Sequence, residues 1–145
     1  MKHALFALAL TGLAATAMAA VAAPALPTTA APAETKVYII SPADGATVGQ
    51  EVTVRFGLKG MGVAPAGVAR EHTGHHHLLV DVKELPAAGQ PIPADARHVH
   101  FGGGQTQTTL KLSPGTHTLQ LELGDANHVP FKPAVVSKKI TIHVK

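Results

Sequence analysis

Residues Thr73–Val82 read TGHHHLLVDV, and further along Arg97–Thr106 read RHVHFGGGQT. Imidazole titrates near neutrality and ligates Zn, Cu and Ni, so these histidines offer either acid–base chemistry or metal binding. In an extended strand successive side chains point to opposite faces. His75 and His77 then share one face, His76 takes the other, and His98 and His100 form a second same-face pair. Alternate positions stand roughly 6–7 Å apart along a strand, so one pair can share an ion, and two pairs supply four nitrogens for a tetrahedral or tetragonal centre.

His76 and His128 are weaker candidates. The first faces away from its neighbours, and the second sits in the loop GDANHVPF and would have to swing in, as would His72. Asp81 has the parity of His75 and His77, so it could orient a ligand imidazole or simply face solvent from its strand. Asp125 reads as a turn-former in GDAN first, and as a site residue only if His128 is one. Gly102, Gly103, Gly104 and Gln105 do not make a phosphate cradle, because a strand pattern rather than a helix N-terminus follows them. They allow close backbone packing or positive φ beside the second pair. His117, with the parity of the leucines in its strand, and His143, in TIHV, read as structural. A competing reading of the whole set needs no metal: imidazoles at one end of a sheet structure can satisfy loop carbonyls in a polar network.

Composition narrows the classes. The chain has 145 residues, 10 of them histidine, and no cysteine, which excludes both a disulfide framework and a thiolate metal site. A net charge of +3, one tyrosine, no tryptophan and no dense Lys/Arg cluster give nucleic-acid binding no support. Beyond the leader the serines are Ser41, Ser113 and Ser137, none in a nucleophile elbow, and no paired carboxylates flank a cleft. Hydrolysis would require a metal-bound water. The expectation is that the protein is not an enzyme.

Alternation of apolar and polar residues supplies the elements that must position the histidines. Lys36–Ile40, Glu51–Leu58, His77–Lys83, Thr106–Leu112, Thr116–Leu123 and Ser137–Val144 all read at period two, with Gly/Pro-rich turns between them. This predicts an all-β domain, a small antiparallel immunoglobulin-like β-sandwich of about 6–7 strands, with a closed barrel as second choice. LKLSPGTHTLQLEL reads as a hairpin turning at Pro114-Gly115, with Leu110, Leu112, Leu119, Leu121 and Leu123 on the buried face and Thr116, Thr118, Gln120 and Glu122 facing solvent. At the N-terminus, residues 1–19 carry a basic start, an apolar run and Ala17-Met18-Ala19, the pattern of an export signal cut after Ala19. Residues 20–35 are Ala/Pro/Thr-rich and read as a flexible spacer, and 36–145 as one domain. The mature chain is therefore expected in the periplasm or secreted, without a membrane span.

In this order, SPADGATV, GMGVAPAG, TGHHHLLVD, QPIPAD, HVHFGGGQT, PGTHTLQLELGD and HVPF are identified as those of a bacterial exported family known as a domain of unknown function, number 4399, over Val37–Lys145. The resemblance implies a small periplasmic β domain with no assigned activity. Its motifs include His75, His76, His77, His98, His100, Gly102, Gly103, Gly104, Gln105, Asp125 and His128. Phe131 departs from the polar residue that commonly follows this Val-Pro, which argues against a ligand there. SPADGATVG also resembles the start of periplasmic copper-resistance carriers, immunoglobulin-like domains that bind copper through histidines. HVHFGGG is similar to the copper–zinc superoxide dismutases, but the missing cysteines and incomplete ligand set argue against that enzyme.

The expected function is a periplasmic module in which His75, His77, His98 and His100 hold copper or zinc for storage, buffering or delivery. Affinity should fall as pH drops through about 6.5, because ligation needs neutral imidazole. The alternative is a non-catalytic interaction module, contacting another periplasmic or envelope protein, whose histidines are structural.

Overall fold

The computed structural model describes residues 23–145, so the expected export signal lies outside the described residues. Nine strands and no helix make up those residues: β1 (Lys36–Ser41), β2 (Thr47–Val48), β3 (Glu51–Lys59), β4 (Gly62–Val63), β5 (Thr73–Val80), β6 (His98–His100), β7 (Gln107–Lys111), β8 (Gly115–Gly124) and β9 (Ile140–Val144). One sheet has the order β1-β3-β7, and the other β2-β9-β8-β5-β4 with β6 added to β5. Val37, Val52, Val54 and Phe56 from the first sheet meet Leu78, Val80, Leu119, Leu121, Leu123 and Ile142 from the second. This is the all-β sandwich that the alternation predicts. The β2/β9 and β4/β5 pairs are parallel, which makes the second sheet mixed rather than purely antiparallel. Strands of two or three residues, such as β2, β4 and β6, are too short to show a period in sequence.

Ser113-Pro114-Gly115 is not a hairpin turn. β7 pairs with β3 in one sheet, whereas β8 pairs with β5 and β9 in the other, so the chain crosses between sheets here. Leu110 and Leu112 do face the same core as Leu119, Leu121 and Leu123, but from the opposite side. Alternation identifies the buried face of a strand and is silent on which sheet it joins.

The two sheets differ on their outer faces. On the three-stranded sheet Glu51, Thr53 and Arg55 lie exposed, and Thr53 meets Thr109 across the ladder at 3.0 Å. On the second sheet β5 is buried on both faces from Gly74 to Val80. Its inward residues His76, Leu78 and Val80 face the sandwich core, and its outward residues His75, His77 and Leu79 lie under the loops that follow β5 and β8. Ile92 and Val129, buried outside the central core, belong to those loops, and the Ile92 N–H donates to the His128 carbonyl at 2.8 Å. Ahead of β1, residues 23–35 run along the domain: the Leu26 N–H donates to the Gly89 carbonyl at 2.7 Å, and Ala31 packs on the core.

His76 pays no electrostatic return for its position in the core. Its ring lies 5.2 Å from that of Phe56, it is fully buried, and neither ring nitrogen has a hydrogen-bond partner among the described residues. Stranded buried polar groups cost about 1–3 kcal/mol each. His76→Leu should therefore raise the stability of the domain by about 1–3 kcal/mol. An unchanged or lowered denaturation midpoint for His76→Leu would show that the imidazole is satisfied in solution.

Candidate metal centre

β5 supplies His75 and His77 on its outward face, and the ladder places His100 of β6 directly opposite His77. The His77 and His100 rings stack with centroids 5.0 Å apart, and His75 stands 4.8 Å from His77 and 5.0 Å from His100. The fourth ring comes from the loop after β8. His128 lies 4.6 Å from His100 and 5.1 Å from His75, with its Nδ1 3.2 Å from His75 Nε2. One ring nitrogen from each of the four lies within 4.8 Å of the other three. Four nitrogens around a tetrahedral zinc ion stand about 3.3 Å apart at ordinary Zn–N lengths. His75, His77, His100 and His128 are thus close enough to bind a metal.

Two glycines make room for these rings. A Cβ at Gly124, which sits opposite His75 in the ladder, would lie 2.7 Å from His77 Cε1. One at Gly102 would lie 2.5 Å from His100 Cε1, which gives the first residue of the glycine run a steric role beside the site.

Burial sets the protonation state. Desolvation, reinforced by the neighbouring imidazoles, pushes His75 down to about 4 and His77 to about 3. His100 is also lowered, by burial and by His128. These rings are neutral at pH 7, the form that ligates. His75 Nδ1, His77 Nδ1 and His100 Nε2 are buried without a hydrogen-bond partner among the described residues. A structural polar network would pair such atoms.

His98 does not join the group. It shares the outward face, but it stands opposite Leu79, two ladder positions beyond the His77–His100 pair, and its Nδ1 is 2.9 Å from Asp95 Oδ1. His128 takes the place expected for His98. Its loop is organised by Asp125, whose Oδ1 accepts the N–H groups of Asn127 (2.8 Å) and Val129 (3.0 Å), so this carboxylate orients backbone rather than an imidazole. Asp81 likewise leaves the site: at φ 55 it ends β5, accepts the Thr118 N–H at 2.8 Å and lies 2.7 Å from His117 Nδ1. His76 points into the core, away from the other rings. His72 is exposed, and His143 sits by Thr116 Oγ1 at 3.3 Å.

Glu122 is the residue that alternation misplaces. It is 1 % exposed rather than solvent-facing, pairs with His77 across the β5–β8 ladder, and has neither oxygen hydrogen-bonded among the described residues. Desolvation pushes its carboxyl up to about 7. Its parity with Thr118 and Gln120 is correct, but the loop cover over that face is not visible in a period-two pattern.

A family model described as Domain of unknown function (DUF4399) matches residues 54–145. No curated protein and no solved structure matches the chain.

The buried groups fix how the metal-free protein responds to acid. Unfolded histidine takes up protons near 6.5, whereas folded His75 and His76 do so only at about 4 and His77 at about 3, so stability falls with pH across that interval. Glu122 acts in the opposite sense between 4.5 and about 7, where the unfolded carboxyl has ionised and the folded one has not. Three histidines outweigh one carboxyl, so the melting temperature should drop on going from pH 6.5 to 4. A flat or rising profile in a thermal titration would contradict the buried, neutral state of the rings.

Proposed function

The chain belongs to this family of domains of unknown function, and we propose that it is a periplasmic metal-binding module, holding copper or zinc for storage, buffering or delivery rather than for catalysis. The observation that carries this reading is the mutual approach of four ring nitrogens to within 4.8 Å from three separate segments of chain. Neutral imidazole is a borderline ligand suited to Cu(II), Zn and Ni, and copper stands above zinc in intrinsic affinity for such sites. Four protein ligands also favour holding over catalysis, because catalytic zinc centres keep one position open for water or substrate. The export signal read from residues 1–19 supports a location where such an ion is met outside the cytoplasm.

Calorimetric titration of the metal-free mature protein with Cu(II) and Zn tests this. Binding should be near one ion per chain, and because burial lowers His75, His77 and His100, the loss of affinity expected from sequence near pH 6.5 should move to lower pH. His77→Gln and His128→Gln should each weaken it by about tenfold or more, while His98→Gln leaves it unchanged. At an ion concentration of about 100 times Kd the parent should gain about 2.7 kcal/mol in stability. If a variant with all four histidines replaced by glutamine binds as well as the parent, the reading is wrong.

A further inference from the structure

Resting on that reading, we propose that Thr29 and Asp125 are positioning residues of the metal centre, and that residues 23–32 form a strap that holds His128 in its ligand position. Three of the four rings are held by the β-ladder: His75 and His77 lie in β5, and His100 lies in β6. His128 alone comes from a loop, and its backbone has φ 65, a left-handed conformation that a residue with a side chain adopts only when its surroundings hold it there.

Those surroundings converge on Asp125, which is 5 % exposed. The His128 N–H donates to the Asp125 carbonyl at 2.9 Å, and the Asp125 N–H donates to the Val129 carbonyl at 3.0 Å. Asp125 Oδ1 takes the N–H groups of Asn127 and Val129. The remaining oxygen, Oδ2, accepts the Thr29 hydroxyl at 2.7 Å from a residue 96 positions earlier in the chain. The Thr29 carbonyl in turn accepts the Lys132 N–H at 2.9 Å, so a single strap residue clasps the His128 loop on both sides. Three residues upstream the Leu26 N–H bonds to the Gly89 carbonyl, on the loop whose Ile92 N–H grips the His128 carbonyl. The strap therefore ties together the two loops that meet at His128, and its side-chain hydrogen bond falls on the carboxylate that shapes the ligand loop.

The test uses the whole mature chain with Thr29→Val, which keeps shape and loses the hydroxyl, and Thr29→Ser, which keeps the hydroxyl. Copper release to a chelator should be about tenfold faster in Thr29→Val, with a changed Cu(II) spectrum, and should return close to the parent rate in Thr29→Ser. Without metal, hydrogen exchange should quicken at the His128 and Val129 amides in Thr29→Val and stay unchanged within β5. Parent-like copper release and spectrum in Thr29→Val, or equal damage in Thr29→Ser, overturns the positioning role while leaving the metal centre standing. Unchanged exchange at His128 overturns it without reference to metal, and a parent that binds neither Cu(II) nor Zn overturns the metal centre itself.

Discussion

Burying both faces of one strand requires two covers, and β5 has them. The inner cover is the three-stranded sheet, whose Val52, Val54 and Phe56 close on Leu78 and Val80. The outer cover is made of loops, and loops bring polar backbone and polar side chains with them. That asymmetry decides what the strand can carry. On the inner face His76 is an isolated polar group among aromatic and aliphatic neighbours, whereas on the outer face His75 and His77 meet other imidazoles. The cover also excludes water, which lowers the local dielectric and favours uncharged rings.

The same residue type is driven in opposite directions at different places in the sheet. His117 lies beside the Asp81 carboxylate, which holds its proton more firmly than usual and makes it a cross-strand link. His98 has a local carboxylate neighbour, Asp95, three residues before it in the chain. The four clustered rings have no carboxylate in their group among the described residues, and burial pushes those with a resolved shift towards the neutral form. A carboxylate within hydrogen-bond reach thus sets His98 and His117 apart from the four clustered rings.

The sequence shows which way a side chain points more readily than what it meets. Period two separates His76 from His75 and His77 and identifies Leu119, Leu121 and Leu123 as core residues, because facing is a local property of a strand. It does not reveal that Ser113-Pro114-Gly115 joins two sheets, since a strand buried from either side carries the same pattern. His98 and His100 are equivalent in the local pattern; only the ladder register with β5 puts one beside His77 and the other beside Leu79. Glu122 and His128 depend on loop closure, and that closure rests on contacts such as Thr29 with Asp125, far apart in the chain. A reading confined to neighbours in sequence has no access to them.

Strand β1 gives the domain a boundary different from that of the family match. The family match begins at residue 54, inside β3, while β1 forms an edge of the three-stranded sheet and places Val37 in the core. A fragment cut at residue 54 would lose β1, β2 and the first residues of β3, and with them Val37 and Val52 of the core and one edge of the three-stranded sheet. The matched segment is thus shorter than the two-sheet sandwich to which it belongs.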